Sequence, residues 1–509
     1  MGRQSNYSAG VFDQLQEVME RLSAMETRHR QDHSDIQRLN RVVDSQEKEL
    51  ILLRGTVREQ KEELDSLHGE NESLLKENRL LKDDNERMKR ILNNDSGNSS
   101  LPPSSDQPGK APNTYNGRKT SGRKKGGQPG HKATGPDRKT VEERIRQGKL
   151  LHRVEEIGTP TGNYIVRYRL DLEVQAVATE IRIYQDKDGK YPVPDSLKAE
   201  VSYGPYVKSM ISFLYSEGVV SNSRICEFIN AISGDSLRIS EGTVYHACRR
   251  FSELCAGSLP SIEENLLNSK VLCTDATTMT ADGARAYIRN ISSPWSVRYV
   301  AAARKALEEL KKMPVLSEYT GILEHDHETA LYHFGSGHGE CNVHVCRYLR
   351  KNTEETGNRW SRDLASFLTG MEHARKKRRS EGESRFSPEE LHRYEARYDA
   401  IVEQGEAQWE KTKGKYAAKE EKKLLRRLRK CRENHLLFLH DYDVPFSDNM
   451  SERDLRKCKN RQKMSGGFRS MEGMEMYCSI LSLVETLKRR KENVYRGIVA
   501  LFEGKPVLK

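Results

Sequence analysis

Three acidic side chains stand where strands and a helix could bring them together. Asp275 lies in VLCTDATTM, residues 271–279, an apolar and β-branched run whose composition predicts a strand. Asp326 closes GILEHD, a second such run. Glu452 sits in SDNMSERDLR, one turn into a helix predicted to begin at Ser447, Asp448 and Asn449, with Arg453, Arg456, Lys457 and Lys459 behind it. Carboxylate oxygens are what hard divalent cations take as ligands, so two acids on strands of one sheet could share a cation and a third from a helix could complete its site. Each acid also has a plainer reading. Asp275 and Asp326 would then be turn formers or hydrogen-bonded surface groups, and Glu452 the partner of Asn449 in a capping box.

The elements that must position these acids follow from the flanking residues. After the first run, Asp282-Gly283 predicts a hairpin turn, ARAYIRNIS a returning strand, SSPW a second turn and SVRYVAA a third strand. A helical pattern from Arg304 to Lys312 is broken at Pro314 before GILEHD begins. Residues 268–334 are therefore expected to form a three-stranded meander, a helix and one more strand. Beyond them His338, Cys341, His344 and Cys346 invite a zinc reading, but the spacing is short and no second pair follows at finger distance. His344, on a predicted helix near the acidic pair, is better read as a supporting neighbour that orients a carboxylate or a phosphate. Residues 350–440 are charged and helical in pattern, with basic clusters in HARKKRRS and EEKKLLRRLRKCRENH. They form either an insertion that closes over DNA or a solvated helical hairpin.

The first half of the chain reads as a set of binding parts. Residues 11–92 hold one heptad register, with a positions such as Leu15, Leu22, Ile36, Leu50 and Leu64 and d positions such as Val18, Leu39, Leu53, Leu67 and Leu74. A register of that length predicts a coiled coil, and Asn71, Asn78 and Asn85 at successive a positions favour a parallel pair. Residues 93–139 are rich in Pro, Gly and Ser, and Asp137 is the only acid between Lys110 and Lys139. This basic linker can neutralise DNA phosphates, with Lys119, Arg123, Lys124 and Lys125 as the candidates, or it is simply a solvated charge run. Residues 140–200 suggest a small β-rich module. Residues 201–262 suggest a helix-turn-helix-like domain whose last helix, capped by Ser240, would expose Thr243, His246, Arg249 and Arg250 to DNA; the alternative is a structural helical layer.

A chain of 509 residues should form several domains. Only 35% of residues are hydrophobic and 32% are charged, so much of it is expected as solvated helix or linker. No long apolar run and no signal-peptide pattern is present, which points to a cytoplasmic protein with no membrane role. Nine irregularly placed cysteines predict reduced thiols rather than a disulfide framework, and the net charge of +11 favours a polyanionic partner.

Together these segments resemble the insertion sequence sixty-six family of transposases, of the aspartate-aspartate-glutamate class. NSSLPPSSD, GGQPGHK, YGPYVKSMISFL, SEGTVYHACRR, the strand with Asp275, ECNVHVCRYLRK and SDNMSERDLR carry the likeness in the family's order over nearly the full chain. The resemblance implies a multidomain α+β protein with a ribonuclease-H-like catalytic domain split into residues 263–349 and 441–509 around the helical insertion. It also implies a catalytic, metal-binding triad of Asp275, Asp326 and Glu452, and binding to the terminal inverted repeats of a mobile element. The chemistry would be strand cleavage and strand transfer with two Mg²⁺ ions, Mn²⁺ able to substitute, and Arg453 and Arg456 as phosphate clamps. Expected partners are double-stranded DNA, as element ends and target, and a second copy through the coiled coil, with a higher oligomer on DNA as the further alternative. The expected location is the cytoplasm of a prokaryote, at the nucleoid. Three departures stand out: zinc-ribbon cysteines are missing after the Gly-rich linker, Ala276 follows the first acid where the family has Glu, and Asn342 replaces a tryptophan. The rival expectation is a dimeric DNA-binding regulator without catalysis, in which the acids are structural.

Overall fold

The computed structural model describes residues 6–92, 136–157 and 165–508. In chain order the helices before the sheet are α1 (Asn6–Leu92), α2 (Arg138–Arg146), α3 (Pro205–Ser216), α4 (Asn222–Ile232), α5 (Glu241–Ala256) and α6 (Leu259–Leu267). The strands are β1 (Val271–Ala281), β2 (Ala284–Ser292), β3 (Val297–Ala302), β4 (Ile322–His325) and β5 (Gly337–Glu340), with α7 (Leu307–Leu310) between β3 and β4. Then follow α8 (Asn342–Thr356), α9 (Arg359–Ser380), α10 (Pro388–Trp409), α11 (Lys415–Lys430), α12 (Arg432–His440), α13 (Asn449–Asp454), α14 (Arg456–Ser465), α15 (Met471–Arg489) and α16 (Val494–Phe502). No described helix is long and apolar enough to cross a membrane.

The chain divides into two units, of which the first is essentially α1. Its 87 residues run without a break. The heptad leucines and valines, Leu15, Val18, Leu22, Leu50, Leu64, Leu67 and Leu74 among them, are exposed along it. A stripe of that kind is buried only by another helix with the same repeat.

In the second unit, α2 starts at Asp137, whose carboxylate accepts from the Thr140 amide at 2.8 Å. The strand pair expected between residues 140 and 200 does not form among the described residues. Leu172 and Val177 lie exposed, so the segment lacks the covering layer that an isolated hairpin needs for stability.

The meander is formed as expected. Asp282 and Gly283 both take positive φ, 53° and 71°, the pairing that a tight two-residue hairpin turn requires. The sheet order is β3-β2-β1-β4-β5, antiparallel on the β3-β2-β1 side and parallel from β1 through β4 to β5. The helix expected over 304–312 shrinks to α7, four residues long. Strand β5 was not legible in the sequence because half of its four residues are glycine. Gly339 is there for space: a side chain would run into the Glu324 carboxylate on β4.

Alternation along the strands sorts their side chains onto two faces. Met279 and Ala281 of β1 and Ala286 and Ile288 of β2 join one core with α3, α4, α5, α15 and α16. Leu272, Ile291 and Leu323 face the other way, into a core shared with α6, Leu310 and Leu331. Helices α3 to α5 thus have no core of their own: Val244, Cys248 and Phe251 of α5 pack in the same cluster as Tyr477 and Leu481 of α15. Helices α8 to α12 fold around a separate third cluster that includes Trp360, Tyr398, Leu428 and Phe438.

Candidate active site

Register alone brings the first two acids together. Strands β1 and β4 are parallel, with Cys273 opposite Glu324, so Asp275 and Asp326 each lie two residues beyond a matched pair. Asp326 is the first residue past β4, which sets it level with Asp275 of the neighbouring strand, and strands are ~4.8 Å apart. Asp275 shares its face of the sheet with Met279 and Ala281, the face covered by the C-terminal helices. Burial, and next the charge of Asp326, pushes its carboxyl above the usual carboxylate range, against the Ala276 amide and the cations Lys305 and Arg289.

Helix α13 delivers Glu452 over the same face. It is anchored at Asp454, whose carboxylate accepts from Ser292 Oγ at 2.6 Å, Asn290 Nδ2 at 3.2 Å and Arg489 Nη2 at 2.5 Å. Asn290 is fully buried on β2 directly opposite Asp275, and its Oδ1 accepts from the Asp275 amide at 3.1 Å. One side chain therefore ties the strand of the first acid to the helix of the third. The capping-box reading of Glu452 does not hold: its carboxylate reaches Arg347 Nη1 of α8 at 3.2 Å, with His344 Nε2 at 3.7 Å.

His344 reports on all three acids. Burial, then Arg347, lowers its pKa, while Asp326, Glu452 and Asp275 all act to raise it. The surroundings carry surplus negative charge. Asp448, buried at the start of α13, is pushed well up by burial and by Asp275 and Asp326, although Ser451 hydrogen-bonds it. Its Oδ1 and the Nδ1 of His344 are buried without a hydrogen-bond partner. Oxygen donors, crowded like charges and an orphaned carboxylate oxygen fit a divalent cation. Even so, the ligand atoms of Asp275, Asp326 and Glu452 do not all come within 4.8 Å of one another; among the described residues only His327, Glu340 and Cys431 do.

The other expected residues are scattered. Arg453 and Arg456 are exposed beside Glu452. On α5, His246, Arg249 and Arg250 are exposed, the arginines pairing with Glu253 at 3.7 and 3.0 Å. Thr243 is engaged instead in the helix cap, its Oγ1 3.1 Å from Ser240 Oγ. Lys119, Arg123, Lys124 and Lys125 lie outside the described residues. The four zinc candidates point to different partners. Cys341 accepts from the Asp448 amide at 3.2 Å, His338 pairs with His325 at 3.3 Å, and Cys346 faces Ala365 of α9.

Sequence reasoning missed Asn290, Asp448 and Arg347. Asn290 carried a usable signal, a strand-averse amide inside the apolar run ARAYIRNIS. Asp448 was visible only as a helix starter, and Arg347 only as one more cation on a basic helix.

The model of a family described as Transposase IS66 family matches residues 209–476. The chain belongs to the IS66 transposase family. The span that carries this IS66 match runs from α3 to α15 and holds all three acids. A family of unknown function, DUF6444, matches residues 53–137, across the end of α1 and the basic linker. No curated protein matches the chain. As a member of this family the chain is a transposase, of a class that acts on DNA and uses divalent metal.

Proposed function

We propose that this transposase binds the terminal inverted repeats of its element and carries out metal-dependent strand cleavage and strand transfer, with Asp275, Asp326 and Glu452 as its catalytic acids. The observation that carries the reading is the matched level of Asp275 on β1 and Asp326 just past the parallel strand β4, with Glu452 held nearby through Asn290 and Asp454. The strand order, with its antiparallel half and its parallel half, supports a ribonuclease-H-like domain.

The three acids would hold Mg²⁺, with Mn²⁺ able to substitute; bound there, the cations lower the pKa of an attacking water or 3′-hydroxyl and stabilise the leaving oxygen. Arg347 fixes the direction of the Glu452 carboxylate, and His344 stands beside it, within electrostatic reach of Asp275 and Asp326. Arg453 and Arg456 meet the phosphates flanking the scissile one. His246, Arg249 and Arg250 of α5 give a second contact to duplex DNA, and Lys119, Arg123, Lys124 and Lys125 add sequence-independent affinity by releasing counterions. Two copies pair through α1.

The test is a nicking assay on a duplex bearing the element's end sequence, with Mg²⁺ present. Glu452→Ala should remove cleavage and leave the gel-shift affinity within about twofold, because the acid acts after binding. Cleavage at the wild-type rate would refute the assignment.

A further inference from the structure

A second cluster of ligating side chains lies one residue beyond Asp326. His327 Nδ1 is 2.6 Å from Glu340 Oε1 and 3.9 Å from Cys431 Sγ, and the three ligand atoms all lie within 4.8 Å of one another. The Tyr332 hydroxyl stands beside them, 3.3 Å from His327 Nδ1, 3.9 Å from Cys431 Sγ and hydrogen-bonded to Glu340. We propose that His327, Glu340 and Cys431 bind a borderline transition-metal ion, Zn²⁺ being the best match, at a structural site separate from the catalytic acids.

Donor type favours this: one imidazole nitrogen, one thiolate and one carboxylate oxygen are a zinc set rather than a magnesium set. Tetrahedral zinc with ordinary bond lengths puts N and S about 3.5 Å apart, near the 3.9 Å seen, whereas the 2.6 Å between His327 Nδ1 and Glu340 Oε1 is a hydrogen-bond distance that has to open to about 3.4 Å on binding. Glu340 is braced as a metal-binding carboxylate should be. Its other oxygen, Oε2, accepts from Arg427 at 2.7 Å and faces His435 Nε2 at 3.1 Å, which leaves Oε1 directed at the cluster. Glu340 and Cys431 are buried while His327 is partly exposed, so an ion has a way in.

The plainer alternative is a metal-free hydrogen-bond network around Glu340. It accounts for His327, His435 and Arg427, and draws on Cys431 only as a weak thiol partner of Glu340 with contacts of 3.9 Å to Tyr332 and His327. Backbone geometry adds a reason for a firm anchor: His327 has a φ of 71°, a left-handed conformation that a non-glycine residue keeps only when its surroundings hold it. The donors come from the loop after β4, the end of β5 and the residue before α12. An ion there would pin the loop that presents Asp326 to the helical insertion, with release of the Cys431 thiol proton on binding.

The full-length protein, purified without a metal-binding tag or chelator, is assayed for metal by mass spectrometry and then, after metal removal, titrated with Co²⁺. The proposal expects about one zinc per chain, and a cobalt complex with tetrahedral visible bands and a thiolate charge-transfer band. Cys431→Ser and His327→Ala should lose both, whereas Asp275→Asn and Glu452→Gln should keep both. Wild-type protein with no bound zinc and no thiolate band on cobalt addition would overturn the proposal, as would a Cys431→Ser variant that keeps either. The wild-type measurements decide the matter even if a variant fails to fold, and they do not depend on whether the chain cuts DNA.

Discussion

Asn290 does more for the site than its chemistry advertises. Its amide accepts from the Asp275 backbone and donates to Ser292 and to Asp454, so the strand of Asp275 and the Glu452 helix share one rigid link. Replacing it with leucine leaves the Asp275 amide and the Asp454 carboxylate each short of a partner and frees α13 to shift. A displacement of ~1 Å in a catalytic constellation is enough to cost roughly 100-fold in rate. Asn290→Leu is therefore expected to lower single-turnover cleavage by about that factor while DNA affinity and the circular dichroism spectrum stay close to wild type. Loss of binding together with cleavage would show the residue to be a general stabiliser instead.

At the scale of elements, a partly buried charge network locks the helical layer onto the C-terminal helices. Lys457 of α14 pairs with Glu217, just past α3, and with Glu485 of α15, and Lys488 pairs with the same two acids. Burial alone would raise the Glu485 carboxyl, but Lys457 and Lys488 outweigh it and hold the pKa below the ordinary 4.5. As pH falls the unfolded chain takes up this proton first, so the contribution is complete above about pH 4.5 and is lost below it. Glu485→Gln should lower unfolding free energy by roughly 1–3 kcal/mol at neutral pH, with the gap closing as the medium is acidified. Urea denaturation at several pH values checks this, and a gap that stayed constant would contradict it.

How much of this was visible beforehand depends on whether local pattern decides the element. The Asp-Gly turn, the β-branched runs and the heptad repeat are local, and β1 to β4 and α1 came out within a few residues of expectation. Strand β5 is Gly-His-Gly-Glu, which no propensity favours; it exists because β4 offers an edge and Gly339 fits against Glu324. The strands expected between 140 and 200 that do not form among the described residues are the converse, good strand residues with nothing to cover them. At the site the acids announced themselves by type, but Asn290 and Arg347 matter only through what the fold sets beside them.

For the molecule as a whole, two assemblies are at stake, one of copies and one of charges. The exposed heptad stripe of α1 predicts that removal of residues 1–92 turns a dimer into a monomer in sedimentation equilibrium. A truncated chain that sedimented as a dimer would place the contact elsewhere. The central claim is that Asp275, Asp326 and Glu452 together hold the cations that cut DNA, and a change of metal preference tests it most directly. A thiolate is a softer ligand than a carboxylate and accepts Mn²⁺ more readily than Mg²⁺. Asp326→Cys, assayed for nicking of an end-bearing duplex, should be inactive in Mg²⁺ and recover cleavage in Mn²⁺, while the unaltered protein cuts in both. Cleavage by the variant in Mg²⁺ at the unaltered rate would show that Asp326 holds no catalytic metal.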